Sequence, residues 1–354
     1  MWLDSFSLSL TSPLGTAAGE ITSRRGLLVG LTVDGQRAVG EATPLAGWTE
    51  SDAACRHTLK SLAVDGDDGG LPELPDPTET PAAAHAVDLA VSDARARNGG
   101  KPLAAWLRQQ ADIAGSPPES VPLNATVGDG DIETTVSAAT NAVQDGFEWL
   151  KLKVGARDPG ADLDRIRAVD RAVDDTVRIR LDANGAWNRT QATSVLDGIA
   201  DLDIEYLEQP LAAADLDGMA GLRGRGTDLA VDESLATHSL DAVLDAGAAD
   251  VVILKPMALG GPRRTVDIAM RARDAGLRPV VTTTIDAVVA RTAAVHTAAA
   301  IPDVTACGLA TGSLLAADLA ADPVEITRGR AQLPTADGLC GGCFDELWVA
   351  NGST

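Results

Sequence analysis

The sequence predicts an α/β fold in which a (β/α)8 barrel of the TIM type carries an α+β capping domain. Two observations predict it. After residue 120, short runs rich in β-branched residues alternate with helical stretches, whereas the part before it has strands first and helices afterwards. Charged residues also end successive strand-like runs, one in each strand–helix unit. Such an alternation is typical of parallel strands surrounded by helices.

The chain is expected to divide into three parts. Residues 1–117 are predicted to form the capping domain, residues 118–325 the barrel, and residues 326–354 a C-terminal segment that returns to the capping domain. Gly115, Pro117 and Pro118 mark a linker between the first two parts, because glycine and proline interrupt regular structure.

The capping domain is predicted to begin with three strands and to continue with helices. Asp34-Gly35 is a hairpin signal between the second strand and the third. A loop rich in proline and acidic residues, 72–81, precedes an alanine-rich helix. The strands are expected at 6–10, 26–33 and 37–42, and the helices from 51 onward and at 81–97.

The barrel is predicted to hold eight strands with helical stretches, such as 161–173 and 190–200, between them. No internal sequence repeat is needed for this interpretation. The strands are expected at 121–126, 149–154, 177–182, 204–208, 229–232, 251–255, 279–284 and 304–308.

Five charged residues fall at the carboxyl ends of five consecutive predicted strands. They follow one another at intervals of 29, 26, 24 and 23 residues, about one strand–helix unit each. The carboxyl ends of barrel strands meet at one mouth, where active sites form. We therefore expect these side chains to converge: Lys153, Asp182, Glu208, Asp232 and Lys255.

The two lysines of this set stand out because lysine is rare here. The chain has five lysines, whereas arginine supplies 24 of its 29 basic residues. Lys151, Lys153 and Lys255 lie in apolar strand-like runs, where a surface lysine is not expected. Their retention in such runs indicates a function.

The three carboxylates predict a divalent metal site. Carboxylate oxygens suit Mg²⁺, with Mn²⁺ as the alternative, whereas zinc prefers histidine and cysteine. None of the four histidines falls at a predicted strand end. A divalent cation bound there stabilises the enediolate that forms when a proton is removed next to a carboxylate.

Lys153 is the candidate base for that proton abstraction. Lys151 lies two residues before it, so both side chains leave the same face of the strand. A neighbouring ammonium group and the metal both lower the pKa of a lysine, which the chemistry requires. Lys255, from the other side of the barrel, is expected to act as a second base or as a fixed cation.

Composition restricts the partners. A net charge of −22 argues against nucleic acid, which needs clustered basic residues. No apolar run reaches transmembrane length and no secretory signal is apparent, so a cytoplasmic location without membrane insertion is expected. The acidic, lysine-poor composition is typical of a halophilic protein or, alternatively, of an acidic GC-rich bacterial one. The predicted partner is a small-molecule carboxylate, and homo-oligomerisation is left open.

The cysteines give a weaker signal. Cys340 and Cys343 have the spacing of half a zinc or redox motif, but no second pair and no nearby histidine completes it. Two small residues in a glycine-rich turn is the favoured interpretation.

Taken in chain order, the charged motifs resemble those of the enolase superfamily, in its muconate lactonising enzyme subgroup. The resemblance implies Mg²⁺ binding by the three carboxylates, acid/base roles for Lys153 and Lys255, and supporting roles for Asn184 and Glu233. The motifs are Lys151-Leu152-Lys153, Leu181-Asp182-Ala183-Asn184, Glu208-Gln209-Pro210, Asp232-Glu233-Ser234 and Lys255-Pro256 followed by Gly260-Gly261.

Within the subgroup the sequence is most similar to the o-succinylbenzoate synthases, which remove water from a cyclohexadiene carboxylate in menaquinone biosynthesis. The resemblance implies that Lys153 takes the α-proton and then protonates the departing hydroxide on the same face. Lys255 is then expected to stay protonated against the ring of the intermediate. Gly260 and Gly261 would let the backbone approach the succinyl tail.

Where many relatives have Ser-Ser and Glu at the end of the seventh strand, this chain has Thr282-Thr283-Thr284 and Asp286. Thr284 and Asp286 are therefore candidate substrate contacts, with Asp286 in the acidic role.

Racemases, dipeptide epimerases and cycloisomerases share the same lysines and metal ligands, so they remain alternatives. Specificity is expected from two loops of the capping domain, 16–21 with Glu20 and 44–50 with Trp48. A non-catalytic binding protein is a remote alternative, because no residue of the motifs is lost.

Overall fold

The N-terminal part of the chain folds into a three-stranded antiparallel sheet in the order β1-β2-β3. The computed structural model describes residues 1–16, 19–65 and 73–351. Asp34 and Gly35 have φ angles of 50° and 80°, so they form the predicted hairpin turn. The first two strands are longer than predicted. The three strands are β1 (Trp2–Thr16), β2 (Gly19–Val33) and β3 (Gln36–Ala42).

Three helices follow and complete the α+β part. The second is buried along almost its whole length, because its many alanines allow a close approach to β3. The predicted loop before this helix begins at residue 72, which lies outside the described residues. The helices are α1 (Asp52–Asp65), α2 (Pro81–Asn98) and α3 (Leu103–Gln110).

The predicted barrel is present as a parallel sheet of seven strands that follow one another in chain order. Its strands are β5 (Asn124–Val127), β6 (Trp149–Lys153), β7 (Arg178–Asp182), β8 (Ile204–Glu208), β9 (Asp228–Val231), β10 (Val251–Leu254) and β11 (Arg278–Val281). The helices that link them are α4 (Ile132–Gln144), α5 (Pro159–Asp170), α6 (Arg189–Gly198), α7 (Leu216–Leu222), α8 (Ser234–Thr237), α9 (Leu240–Ala246), α10 (Pro256–Leu259), α11 (Pro262–Asp274) and α12 (Val288–Ala300).

Two predicted barrel strands differ from the prediction. The first, 121–126, is divided into β4 (Ser120–Pro122), which lies in another sheet, and β5. The eighth, 304–308, is not a regular strand. It makes single bridges, from Cys307 to Leu123 and from Gly308 to Thr282, and these connect the two edges of the sheet. Glycine and the turn residues before it shorten the hydrogen-bonded run, but the position that closes the barrel is filled.

The core separates into layers around this sheet. The largest apolar cluster joins strand residues to the surrounding helices. A smaller cluster comes from strands alone, as expected for side chains that fill the inside of a barrel. Its members are Tyr206, Ala230, Val251, Ile253 and Val280.

The C-terminal segment contacts both earlier parts. A short 3-10 helix (Gly312–Leu314) precedes it, and β12 (Ile326–Thr327) and β13 (Arg330–Gln332) form a sheet with β4. Trp348, in α13 (Asp345–Asn351), packs edge-on against Trp2 with 5.6 Å between ring centroids. These contacts agree with a return to the capping domain, while the exact division into three domains stays a prediction. No helix among residues 1–16, 19–65 and 73–351 is long and apolar enough to cross a membrane.

Cys340 and Cys343 lie in a glycine-rich turn, as the favoured interpretation has it. The structure joins them in a disulfide across the turn that leads into α13. Their spacing of three residues allows this pairing, and the sequence alone left it open.

The capping domain is fastened to the barrel through buried polar contacts. The Glu41 carboxylate accepts hydrogen bonds from the backbone N–H groups of Ala287 and Ala290, at 2.8 and 2.9 Å. Arg263, in the first turn of α11, donates to the buried carboxylate of Asp88 in α2. The mouth of the barrel is thereby held against the cap.

Substitution of Gly261 by alanine is expected to destabilise this interface by about 2 kcal/mol or more. Gly261 has a φ of +131°, and a Cβ atom there would lie 2.3 Å from Asp88 Oδ2. Urea unfolding would measure the loss. The matched control is Gly221→Ala in α7, where the added Cβ meets nothing within 4 Å and little change is expected. Equal stability of the two variants would contradict this account.

His296 in α12 makes stability depend on pH. It is fully buried: Nδ1 accepts from Ala104 N–H at 3.2 Å and Nε2–H donates to the Leu339 carbonyl at 2.7 Å. Burial lowers its pKa to about 4, whereas an unfolded histidine has a pKa of about 6.5. The unfolded state therefore binds the proton first as pH falls. The stability that the neutral ring contributes, about 3 kcal/mol, is complete above pH ~6.5 and is lost between pH ~6.5 and ~4.

Comparison of the wild type with His296→Gln isolates this contribution. The difference in the free energy of unfolding is expected to narrow as the pH is lowered from 7 to 4.5. Urea unfolding of both proteins across that range would test it. A difference that stays constant with pH would mean that His296 does not titrate in this way.

Candidate active site

The five predicted charged residues lie together at the carboxyl ends of the barrel strands. Lys153, Asp182 and Glu208 are the last residues of β6, β7 and β8, and each is aligned with the next in the parallel register. Asp232 and Lys255 come directly after β9 and β10. The five side chains that the spacing predicted to converge therefore do lie together.

Lys151 and Lys153 both contact the first carboxylate of the group. Lys153 Nζ lies 2.6 Å from Asp182 Oδ2, and Lys151 Nζ lies 2.9 Å from the same oxygen. Lys151 Nζ also lies 2.9 Å from Glu208 Oε1. The two lysines are thus on the same side of β6, as predicted, and Lys151 bridges two carboxylates.

Lys255 is held differently. Its ammonium group donates to both oxygens of Asp232. On another side it lies over the indole of Trp48, 3.3 Å from the ring centroid. Trp48 belongs to the second of the predicted specificity loops, so a residue of the capping domain enters the cluster.

The lysines differ in exposure. The Lys153 side chain is 33% exposed, against 10% for Lys255 and 13% for Lys151. A molecule that enters from solvent can therefore contact Lys153 more readily than Lys151 or Lys255.

A layer of side chains supports the cluster. Asn184 Oδ1 accepts from Lys153 Nζ at 2.8 Å, and Asn184 Nδ2 donates to Glu233 Oε1 at 3.0 Å. Asn184 and Glu233 thus lie where supporting residues were predicted. Gln209 was not predicted to take part: its Oε1 accepts from the backbone N–H of Asp232 and of Ser234. Its place in the Glu208-Gln209-Pro210 motif was the signal.

The end of β6 is fixed by a buried ion pair that sequence reasoning missed. Arg165 Nη1 lies 2.8 Å from Asp162 Oδ1 and donates to the backbone carbonyl of Lys153 at 3.1 Å. Asp162 in turn accepts from Gly155 N–H. The only signal was an acidic and a basic residue three positions apart on α5.

The electrostatics of the cluster are uneven. Burial acts to raise the pKa of Asp182, but the ammonium groups of Lys151 and Lys153 outweigh this effect. They hold the pKa of Asp182 far below its usual range. Burial and the neighbouring Asp182 raise the pKa of Glu208 to about 7. Burial likewise raises the pKa of Asp232 to about 6 against the opposing effect of Lys255. Negative charge on Glu208 and Asp232 is therefore incompletely balanced by the protein.

The donor set fits a hard divalent cation in chemistry. As the side chains stand, no group of His, Cys, Asp and Glu among the described residues is arranged to hold a metal ion, and lysine ammonium groups lie between the carboxylates. Glu208 Oε2, however, is buried without a hydrogen-bond partner in the described part of the chain. A buried, unpartnered carboxylate oxygen beside two further carboxylates is the arrangement that a cation stabilises.

The predicted substrate contacts lie beside residues of the capping domain. A Cβ on Gly260 would lie 2.3 Å from Pro77, and one on Gly261 would lie 2.3 Å from Asp88, so both glycines pack closely against the capping domain. Thr284 Oγ1 donates to Asp286, which is buried with Arg24 and Glu41 nearby. No hydrogen bond within the described ranges joins Thr284 or Asp286 to the lysines and carboxylates. Residues 17 and 18 of the first specificity loop lie outside those ranges, and Glu20 is exposed.

Comparison with known proteins gives a family and several relatives. A family described as enolase C-terminal domain-like matches residues 134–341. The o-succinylbenzoate synthase of Thermobifida fusca is 38% identical over 217 residues, which are 60% of this chain and 66% of that protein. The N-succinyl-L-Arg/Lys racemase of Bacillus cereus is 27% identical over 306 residues, 82% of this chain and 81% of that protein.

One solved structure adds a ligand-bound relative. A dipeptide epimerase from Enterococcus faecalis, in complex with Mg and the dipeptide L-Leu-L-Tyr, superposes with a TM-score of 0.82 at 25% identity. The match covers 95% of this chain and 97% of that one. The similar proteins thus include an o-succinylbenzoate synthase, a racemase and a dipeptide epimerase.

Proposed function

The chain belongs to the enolase superfamily, and from that membership we propose that it is a metal-assisted dehydratase of the o-succinylbenzoate synthase type. Its substrate is then 2-succinyl-6-hydroxy-2,4-cyclohexadiene-1-carboxylate, and its products are 2-succinylbenzoate and water. A cytoplasmic place in menaquinone biosynthesis and adaptation to high salt belong to the same proposal.

The observation that carries this choice is the unequal setting of the two lysines. Lys153 is the more exposed, and its neighbours Asp182 and Asn184 leave one side of the ammonium group open. Lys255 is enclosed between Asp232 and Trp48. One accessible lysine and one enclosed lysine suit a reaction in which a single base does both proton transfers. A racemase needs two lysines that exchange protons equally.

In the proposed reaction Lys153, in its neutral form, takes the α-proton of the carboxylate substrate. The electron pair of that C–H bond moves toward the carboxylate, which becomes an enediolate. Collapse of the enediolate breaks the C–O bond, and Lys153 returns its proton to the departing hydroxide on the same face. Water is formed, the ring becomes aromatic, and Lys153 is neutral again. Lys255 remains an ammonium group throughout and faces the ring.

Asp182, Glu208 and Asp232 are the residues that would hold the metal. When bound, Mg²⁺, or Mn²⁺ in its place, supplies positive charge that stabilises the enediolate. Lys151 bridges Asp182 and Glu208 at 2.9 Å, and those two carboxylates raise its pKa well above the usual range even though burial acts the other way. Lys151 is therefore a fixed cation that orients the carboxylates rather than a proton donor.

The alternative is racemisation of N-acylamino acids or epimerisation of dipeptides. It is favoured by the long alignment with the N-succinyl-L-Arg/Lys racemase and by the likeness to a dipeptide epimerase. The asymmetry of Lys153 and Lys255 argues against it.

Proton exchange in D₂O separates the two functions. With Mg²⁺ present, the α-hydrogen of only one enantiomer of an N-succinylamino acid is expected to exchange, because only Lys153 acts as a base. Proton NMR of the D and L forms, incubated separately, would measure this. Exchange of both enantiomers at similar rates, accompanied by racemisation, would replace the dehydratase proposal by the racemase one.

A further inference from the structure

The contact between Trp48 and Lys255 crosses from the capping domain to the barrel. Lys255 follows β10, whereas Trp48 lies in the loop after β3. The ammonium nitrogen is 3.3 Å from the indole centroid, well within the range of a cation–π contact. Among the described residues no other lysine lies over an aromatic ring. Aromatic residues make up only 3% of this chain, so a lysine is not expected to meet an aromatic ring by chance.

The loop that carries Trp48 is fixed at both ends. Trp48 N–H donates to the Leu45 carbonyl at 3.0 Å, and Leu45 N–H donates to Thr49 Oγ1 at 2.9 Å. The Glu50 carboxylate accepts from the first two free N–H groups of α2, Ala82 at 3.0 Å and Ala83 at 2.9 Å. The indole is therefore presented by a rigid loop rather than by a mobile one.

Lys255 needs such a wall. A lysine has four rotatable bonds, and Asp232 holds its ammonium group on one side only. The half-buried indole covers another side of the ammonium group. It thereby excludes rotamers that would carry this group away from Asp232. By contrast, the partners of Lys153 in the described part of the chain are Asp182 and Asn184, and its side chain stays accessible.

We propose that Trp48 is a positioning residue that locks the Lys255 ammonium group over Asp232 through its ring face. The capping domain thereby fixes the second lysine of the barrel and leaves Lys153 as the accessible one. The catalytic consequence rests on the proposed function, whereas the contact itself can be tested without any substrate.

The small number of lysines makes that test direct. Limited acylation of the full-length protein with an amine-reactive anhydride, in molar KCl, can be followed at each of the five lysines by peptide mass spectrometry. In Trp48→Leu, which keeps an apolar side chain but no ring, Lys255 is expected to react about tenfold faster than in the wild type. In Trp48→Phe, which keeps a ring face, the rate should stay near the wild-type value. The labelling rate of Lys151 should be the same in all three proteins, and so should that of Lys153.

Two results would overturn the inference. Equal labelling of Lys255 in the wild type and in Trp48→Leu would show that the ring does not hold it. A parallel rise at Lys151, Lys153 and Lys255 would show a general opening of the loop instead of a specific contact. Trp48→Phe, with its fold checked by circular dichroism, separates loss of the ring from loss of structure.

Turnover then tests the catalytic role. With the cyclohexadiene carboxylate, Trp48→Leu is expected to lose about tenfold in kcat with little change in KM, and Trp48→Phe to recover most of it. A rise in KM with kcat unchanged would make Trp48 a substrate contact and contradict a positioning role. If the wild type itself does not turn over this substrate, the proposed function fails, while the labelling result still decides the inference.

Discussion

Replacement of Lys153 by alanine is expected to reduce dehydration by roughly 10³-fold or more in kcat, because the group that moves the proton is removed. The rest of the site should remain. Asp182 keeps its contact with Lys151 at 2.9 Å, and Asn184 keeps its contact with Glu233 at 3.0 Å. The fold and the affinity for Mg²⁺ should therefore change little.

Steady-state kinetics, circular dichroism and Mg²⁺ titration of Lys153→Ala measure these three quantities. Lys60→Ala is the matched control, since Lys60 is an exposed lysine of α1 far from the barrel mouth in sequence. It should show wild-type kinetics. Near-normal turnover by Lys153→Ala would show that the base is another group.

Substitution of Asp232 by asparagine is expected to weaken Mg²⁺ binding and turnover together, each by roughly 100-fold. Asn is nearly the same size but carries no charge, and the buried Asp232 is the carboxylate that also anchors Lys255. The variant therefore loses a proposed metal ligand and the ion-pair partner of Lys255 at once.

Isothermal titration with Mg²⁺ and the same kinetic assay would measure both effects. Asp241→Asn provides a matched control on the barrel surface, where Asp241 pairs with Arg271 and both side chains are exposed. That variant should bind Mg²⁺ like the wild type. If Asp232→Asn did so as well, Asp232 would not be a metal ligand.

The position of the candidate active site could be predicted because a barrel places one strand end in each strand–helix unit. Charged residues at intervals of 23 to 29 residues thus point to the same mouth without any knowledge of the intervening helices. Asp182 and Glu208 confirmed this, since they are paired in the register of β7 and β8. The hairpin at Asp34-Gly35 was also confirmed, because the conformation of such a turn depends on neighbouring residues of the sequence.

Contacts between distant elements could not be predicted. Nothing local indicates that Trp48 covers Lys255, since the two are separated by 207 positions and meet only when the cap closes on the barrel. Nothing local indicates that Gly261 packs against Asp88 of α2. The alternating pattern predicts an eighth strand at 304–308, yet Cys307 and Gly308 make only single bridges. In each case tertiary packing, which the local pattern does not contain, decided the outcome.

The central claim is tested most directly by turnover of the cyclohexadiene carboxylate, followed by ultraviolet absorbance as the ring becomes aromatic. The purified protein should be assayed in molar KCl with Mg²⁺ and again after treatment with EDTA. We predict conversion that is lost with EDTA and restored when Mg²⁺ is added back. Absence of conversion by folded protein that binds Mg²⁺ would contradict the dehydratase proposal.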